Sequence, residues 1–445
     1  MLRPYGGRRT ALAAAAAGAA LVAPSVAWHV HRLHHGIVPA LAQHHATADV
    51  VVTLVRDPAP ISGDTGAGRF VVDATIRSIG VGGRRAVSVP VLLLARGAGW
   101  QELLPGQRLE VRARLNPPRS GDDVAAVLDT LAPPRLLGRP PWWQRAAGAA
   151  RQALRRTCAG MPPDERGLLP GLVDGDTAAV PLRLRDDMRA TGLSHLEAVS
   201  GENLGIVLAV VLTVLRGAGL RRRMRAAGAA VAVIGFVVLA RPSPSVQRAA
   251  VMSGVTLVAM LSGRRAATRS ALAAAVLLLV LLDPFLARSI GFVLSVVATA
   301  GIVVLAPAWM KRLERRLPRP LALALAVAAA AQLACTPVLL LSFGQLTPYA
   351  IPANLVAGPA VVPATVLGVL GAVVAPVSPA CAWPIIWLGG LPTGFVARVA
   401  HVFAALPGAA TTTSRPATIA VAVMAMVGLA WAARSAATVA SREIL

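Results

Sequence analysis

The densest chemistry in this chain lies between Gly167 and Leu208, in the run "GLLPGLVDGDTAAVPLRLRDDMRATGLSHLEAVSGENLGIVL". It sets Asp174, Asp176, Arg183, Arg185, Asp186, Asp187, Arg189, His195, Glu197, Glu202 and Asn203 directly ahead of an apolar stretch. A helix that only anchored a bundle has no need of His195, Glu197, Glu202 and Asn203 at that position. Ionisable groups at the mouth of an apolar phase are costly unless paired or wetted. Asp174, Asp176, His195, Glu197, Ser200, Glu202 and Asn203 are therefore the first candidates for a polar pathway. A helix over Leu193–Gly205 would put His195 and Glu202 on one face, with Asn203 nearby. Ser200 and Gly201 would let backbones approach closely or break that helix. In the structural alternative, Glu202 pairs with an arginine of a neighbouring helix.

Further polar residues punctuate the apolar remainder. Arg241 and Arg248 flank Pro242 and Pro244, where they could draw phosphates towards a pore or reach back to lipid headgroups. Asp283, before Pro284, suits the cap of a bent helix or a place on a conduction path. Gln332, Gln345 and Asn354 could line a wet cavity or hydrogen-bond between helices. The string His29-x-His31-x-x-His34-His35, with His44 and His45 beyond it, has no carboxylate or cysteine close enough to complete a metal shell. Interfacial imidazoles are the expected reading, with no metal site and no cofactor. Cys158, Cys335 and Cys381 show no paired spacing, which argues against a disulfide framework or a zinc site.

The elements that must hold these residues are those of a membrane protein. Of 445 residues, 56% are hydrophobic and 14% charged, far from the roughly 25% charged of a soluble domain. The formal charge of +24 suits contact with nucleic acid or anionic lipid, although arginines gathered in cytoplasmic loops explain much of it. Arg3, Arg8 and Arg9 precede an apolar run from Thr10 to Val30, long enough to cross a bilayer core of about 30 Å. That places the N-terminus in the cytoplasm; small residues near Ala23 to Ala27 also fit a cleaved signal peptide. Residues 1–46 thus form a span and a His-rich juxtamembrane segment, followed by an exported domain over 47–137.

In that domain, β-type runs at Asp49–Val55, Arg69–Ile76, Val87–Leu94 and Arg108–Leu115 predict a small all-β barrel of the OB type. Arg108, Arg112 and Arg114 alternate with Leu109, Val111, Ala113 and Leu115, the period of a half-buried strand, and are candidate DNA-binding groups. Stacking partners would have to come from Phe70 and Trp100. Residues 138–192 read as interfacial helices, with Gln144–Thr157 lying at the membrane surface behind Trp142 and Trp143. Residues 193–445 carry apolar spans near Leu204–Leu215, Ala226–Ala240, Ala249–Leu261, Ala271–Leu282, Ile290–Trp309, Leu321–Leu341, Ala353–Val374, Pro384–Phe403 and Ala417–Ala432. About ten spans result. Their parity puts Arg221–Arg225, Arg264–Arg269, Lys311–Arg319 and the tail from Arg434 to Arg442 inside, as the positive-inside rule requires.

Several motifs in one order resemble the ComEC family of competence proteins. Gly171–Asp176, Leu184, Ala190–Leu196 and Ala198-Val199-Ser200-Gly201 are similar to that family's G-L-x-x-G-D … A-T-G-L-S-H-L-x-A-[IV]-S-G signature. Pro244-Ser245 with Arg248-Ala249, then Leu282-Asp283-Pro284 with Gly291-Phe292 and Leu294-Ser295, then Phe343-Gly344-Gln345 with Asn354-Leu355, follow in sequence. The resemblance runs from about Ala46 to the end. It implies a multi-pass inner-membrane channel that admits single-stranded DNA during natural transformation, assisted by an OB-like domain outside the cytoplasm. Longer family members carry a metallo-β-lactamase-like hydrolase domain; little follows the last span here, so no nuclease activity is expected. No G-x-x-x-x-G-K-[ST] loop is present, so a separate cytoplasmic motor must supply energy and a separate DNA receptor the strand. The pore would belong to one chain or to a homodimer. The alternative is a small-solute transporter or structural envelope protein that keeps the fold without DNA uptake.

Overall fold

A computed structural model describes residues 5–61, 68–80, 83–130, 132–197, 199–240, 244–261, 268–409 and 411–412. Arg241 and the run Ala417–Ala432 lie outside the described residues. The chain divides into two compact units, Met1–Ala149 with Leu279–Phe285, and Ala150–Leu278 with Leu286–Leu445.

The first unit opens with α1 (Tyr5–His34) and α2 (Ile37–Gln43) and is dominated by a barrel of β1 (Thr47–Leu54), β2 (Arg69–Gly80), β3 (Arg84–Arg96), β4 (Arg108–Asn116) and β5 (Val127–Thr130). β1 pairs antiparallel with both β2 and β4, β2 with β3, and β4 with β5, while β3 and β5 run parallel. The ring therefore closes in the order 1-2-3-5-4-1, a five-stranded barrel compatible with the OB fold. Alternation causes it. Val50, Val52 and Leu54, then Val72, Ala74 and Ile76, then Leu109, Val111, Ala113 and Leu115 all point inward and are buried. Irregular register between Val51 and Val52, and between Ile76 and Ser78, gives β1 and β2 the bends that closure needs. The strands overrun the predicted limits by a few residues. The sequence reading missed β5 altogether, because it is four residues long and gains its stability from pairing on both sides rather than from a pattern of its own.

In the second unit, α3 (Trp142–Cys158), whose first residues belong to the first unit, leads to α4 (Pro163–Asp174) and α5 (Leu182–Ala190). The apolar helices follow: α6 (Gly201–Gly217), α7 (Arg222–Leu239), α8 (Pro244–Leu261), α9 (Thr268–Leu282), α10 (Ile290–Leu313), α11 (Arg319–Phe343), α12 (Ala350–Val374) and α13 (Pro379–Ala404). Among the described residues, α10 to α13 are long and apolar enough to cross a membrane. α6 to α9 have 15–18 residues, short of the roughly 20 that a full crossing takes. α7 starts earlier than predicted, at Arg222, so its arginines belong to the helix itself.

Small residues let these helices close on one another, as apolar surroundings require. On α11, Ala322, Ala326, Ala330 and Ala334 form a buried stripe at four-residue spacing, and Gly301 of α10 sits where a Cβ would meet the side chain of Ala334. Gly371 of α12 faces Ile386 of α13 in the same way, and Gly368 faces Val173 of α4. α4, α5, α12 and α13 share one core around Leu168, Leu172, Leu184, Met188, Ala353, Ala357, Val396 and Ala400.

Candidate functional site

The polar segment singled out in the sequence folds back on itself. α4 ends at Gly175, whose φ of 81° is left-handed and whose N–H donates to the Gly171 carbonyl at 3.2 Å. Asp174 Oδ1 accepts from the Asp176 N–H at 2.9 Å, and Asp176 Oδ1 accepts from the Ala178 N–H at 3.1 Å. Arg155 of α3 donates to Asp176 Oδ2 at 2.5 Å. Arg185 of α5 donates to the Thr177 carbonyl at 2.8 Å and lies 3.7 Å from Glu197 Oε2. Asp174 and Asp176 are buried, at 0% and 6% exposure, inside this clasp. Glycine makes the closeness possible: a Cβ at Gly171 would overlap the Glu197 carbonyl oxygen, and one at Gly167 the Ala179 carbonyl.

The single helix expected over Leu193–Gly205 is not formed. Ser194–Leu196 makes one 3₁₀ turn, and α6 starts afresh at Gly201. Ser200 is the reason. It adopts extended φ and ψ of −108° and 167°, and its Oγ accepts from the Asn203 N–H at 3.3 Å, an N-cap that favours a new helix over continuation of the old one. His195 and Glu202 are therefore not one helical face; both are exposed, and His195 Nδ1 faces the Gly192 carbonyl at 3.1 Å. Asn203 is buried at 1% exposure and donates to the Leu172 carbonyl at 2.8 Å, tying α6 to α4.

Burial raises the Glu197 carboxyl above the ordinary glutamate range, against the pull of Arg185 and Arg189. An acid whose pKa is raised by folding stabilises the fold below its unfolded pKa and loses that contribution as pH rises through the folded one. The detergent-solubilised protein should accordingly gain thermal stability as pH falls from 7 towards 5. Glu197→Gln should remove that part of the slope in a melting series, and an unchanged slope would assign it to other groups.

The remaining candidates are scattered. Arg248 is buried in α8, with Nη2 3.6 Å from where a Cβ of Gly201 would lie. Asn354 donates to the Ala350 carbonyl of its own helix at 2.8 Å. Gln345 begins a two-residue strand, Gln345–Leu346, paired with Thr411–Thr412. Asp283 belongs to the first unit, where it follows α9 and its Oδ1 accepts from the Phe285 N–H at 3.0 Å.

One constellation escaped the sequence reading. His401, near the end of α13, places Nε2 3.0 Å from Asp164 Oδ2 of α4 and Nδ1 2.6 Å from Asp187 Oδ2 of α5. Each contact is a hydrogen bond only if that ring nitrogen carries a proton, so the ring that makes both is the imidazolium. The signal was available: a histidine inside an apolar run calls for a partner, and the acidic pairs Asp164-Glu165 and Asp186-Asp187 offered several.

On the barrel, Arg108, Arg112 and Arg114 point outward and are exposed. Phe70 and Trp100 are buried at 3% and 1%, so neither can stack on a base. Asp49 stands directly across from Arg112, and Asp129 across from Arg114, while Glu110 pairs with Arg84 and with Arg135. The basic strand is thus largely offset by cross-strand acids. Changing Arg108, Arg112 and Arg114 to Gln in the full-length protein should lower the log–log salt slope of single-strand binding by about 0.7, one phosphate's share, rather than about 2. A loss near 2 in a titration at several salt concentrations would make the barrel a principal DNA contact. In the histidine group, His31 and His35 stack at 4.4 Å and His45 Nδ1 meets Asn116 Oδ1 at 2.9 Å; no metal-binding cluster occurs among the described residues.

Comparison with known proteins bears on residues 172–437, which match the sequence pattern of the Competence protein family. The matched part begins inside α4 and leaves the barrel outside it. The chain is similar to ComE operon protein 3 of Bacillus subtilis (strain 168), 28% identical over 214 residues, which cover 47% of this chain and 27% of that protein. The chain thus spans about a quarter of that relative's length. No solved structure matches.

Proposed function

The chain belongs to the Competence protein family, and on that premise we propose that it is the membrane channel through which single-stranded DNA enters the cell during natural transformation. The observation that carries this reading is the family match over residues 172–437, which contains the polar segment from Leu172 onward and the four long apolar helices. The channel works without covalent chemistry: cations draw the strand in, and the exposed polar groups His195, ahead of α6, and Glu202, in its first turn, keep its path wet, which lowers the cost of moving phosphates through lipid. About ten spans, counting the shorter α6 to α9, cross the inner membrane, with the N-terminus in the cytoplasm and the barrel outside. The four segments 1–46, 47–137, 138–192 and 193–445 are its working parts. A receptor that presents the strand and a cytoplasmic motor that pulls it are separate partners.

The test is reconstitution of the full-length protein in liposomes. A fluorescent oligo-dT should become protected from added nuclease in protein-containing vesicles and remain unprotected in empty ones. Entry of small solutes without any protection of the oligonucleotide would favour a solute transporter.

A further inference from the structure

A charged side chain sealed in the apolar part of the fold needs a reason, and Arg248 has none within the described residues. It is 4% exposed, and its Nε and Nη1 have no hydrogen-bond partner there. A guanidinium does not shed its proton to escape this cost, and an unpaired buried charge is strongly destabilising. Its Nη2 lies 3.6 Å from the Cβ position of Gly201, so the fork faces the first residue of α6. In that turn the Asn203 N–H is taken by Ser200 Oγ, while no acceptor is recorded among the described residues for the N–H groups of Gly201 and Glu202. A 17-residue helix such as α6 presents about half a positive charge at this end. Gly201, lacking a side chain, lets α6 start close against α8, where a Cβ would lie 3.1 Å from Ala249 Cβ.

We propose that Arg248 and the N-terminal turn of α6 together bind one phosphodiester of the passing strand; this deepens the channel reading and rests on it. The charges favour a monoanion. The guanidinium and helix end supply roughly one and a half positive charges, and the exposed Glu202 carboxylate beside them, unpaired with Arg248, weighs against a dianion. A planar fork with parallel donors also suits two phosphate oxygens better than a single point acceptor.

The experiment compares wild-type protein with Arg248→Met and Arg248→Lys, full-length and in detergent. Since the charge has no partner among the described residues, Arg248→Met should melt at a higher temperature than wild type, while binding oligo-dT about tenfold more weakly. Arg248→Lys should retain part of the affinity. In a second arm, dimethyl phosphate should raise the melting temperature of wild type and leave that of Arg248→Met unmoved. If dimethyl phosphate acts through Arg248 but oligo-dT does not bind at all, the anion site stands, the channel reading fails, and the strand assignment falls with it. If phosphatidylglycerol nanodiscs stabilise wild type through Arg248 and oligo-dT affinity is the same in all three proteins, the site holds a lipid headgroup and the proposal is overturned. Lower stability in Arg248→Met with unchanged oligo-dT affinity would make Arg248 a structural residue and overturn it as well.

Discussion

Alanine at Gly171 should nearly abolish accumulation of the protein in membranes, and what accumulates should melt several degrees lower in detergent. The added Cβ would overlap the carbonyl oxygen of Glu197, and a backbone atom at the junction of a 3₁₀ turn and a new helix has no rotamer by which to yield. Overpacking of this kind costs typically 1–3 kcal/mol, and about 3 kcal/mol is expected here because backbone rather than side chain must move. Alanine at Gly205, where nothing lies within 4 Å of the added atom, is the matched control. It should be neutral or stabilise α6 by up to about 1 kcal/mol. Equal behaviour of the two variants in a thermal-shift series would show that Glu197 does not rest on α4.

Replacing His401 by leucine should release α13 from α4 and α5 at their shared end. Asp164 and Asp187 would then keep their charges without the donor that joins them, a loss of about 1–3 kcal/mol for a charged group deprived of its partner. The decisive feature is non-additivity. With Asp164→Asn and Asp187→Asn already in place, His401→Leu should cost much less, a coupling of about 0.5–3 kcal/mol in a mutant cycle of melting temperatures. Additive losses would mean that the three side chains act independently and that the clasp is incidental to the packing.

The barrel was largely legible, since period-2 alternation in Arg108–Leu115 and its neighbours is local information. Its closure was not: β5 exists because β3 and β4 both pair with it, a long-range fact that a four-residue run does not advertise. The apolar helices were legible as runs, with ends displaced where proline and arginine starts extended them. At the polar segment, the residues were found but their arrangement was misread. A continuous helix from Leu193 was a reasonable local reading; Ser200, a good N-cap, overrode it, and the tertiary contact of Asn203 with Leu172 holds the result. The clasp at His401 joins residues 214 and 237 positions apart, which spacing along the chain cannot convey.

The central claim is that this chain carries DNA across the membrane, and its most direct test is removal of its gene from the source organism under conditions in which that organism takes up DNA. With labelled double-stranded DNA supplied outside, the account predicts that the deletion strain still binds DNA at its surface but accumulates no nuclease-protected internal strand, and that the wild-type gene supplied in trans restores it. Unchanged internal accumulation in the deletion strain would contradict the account.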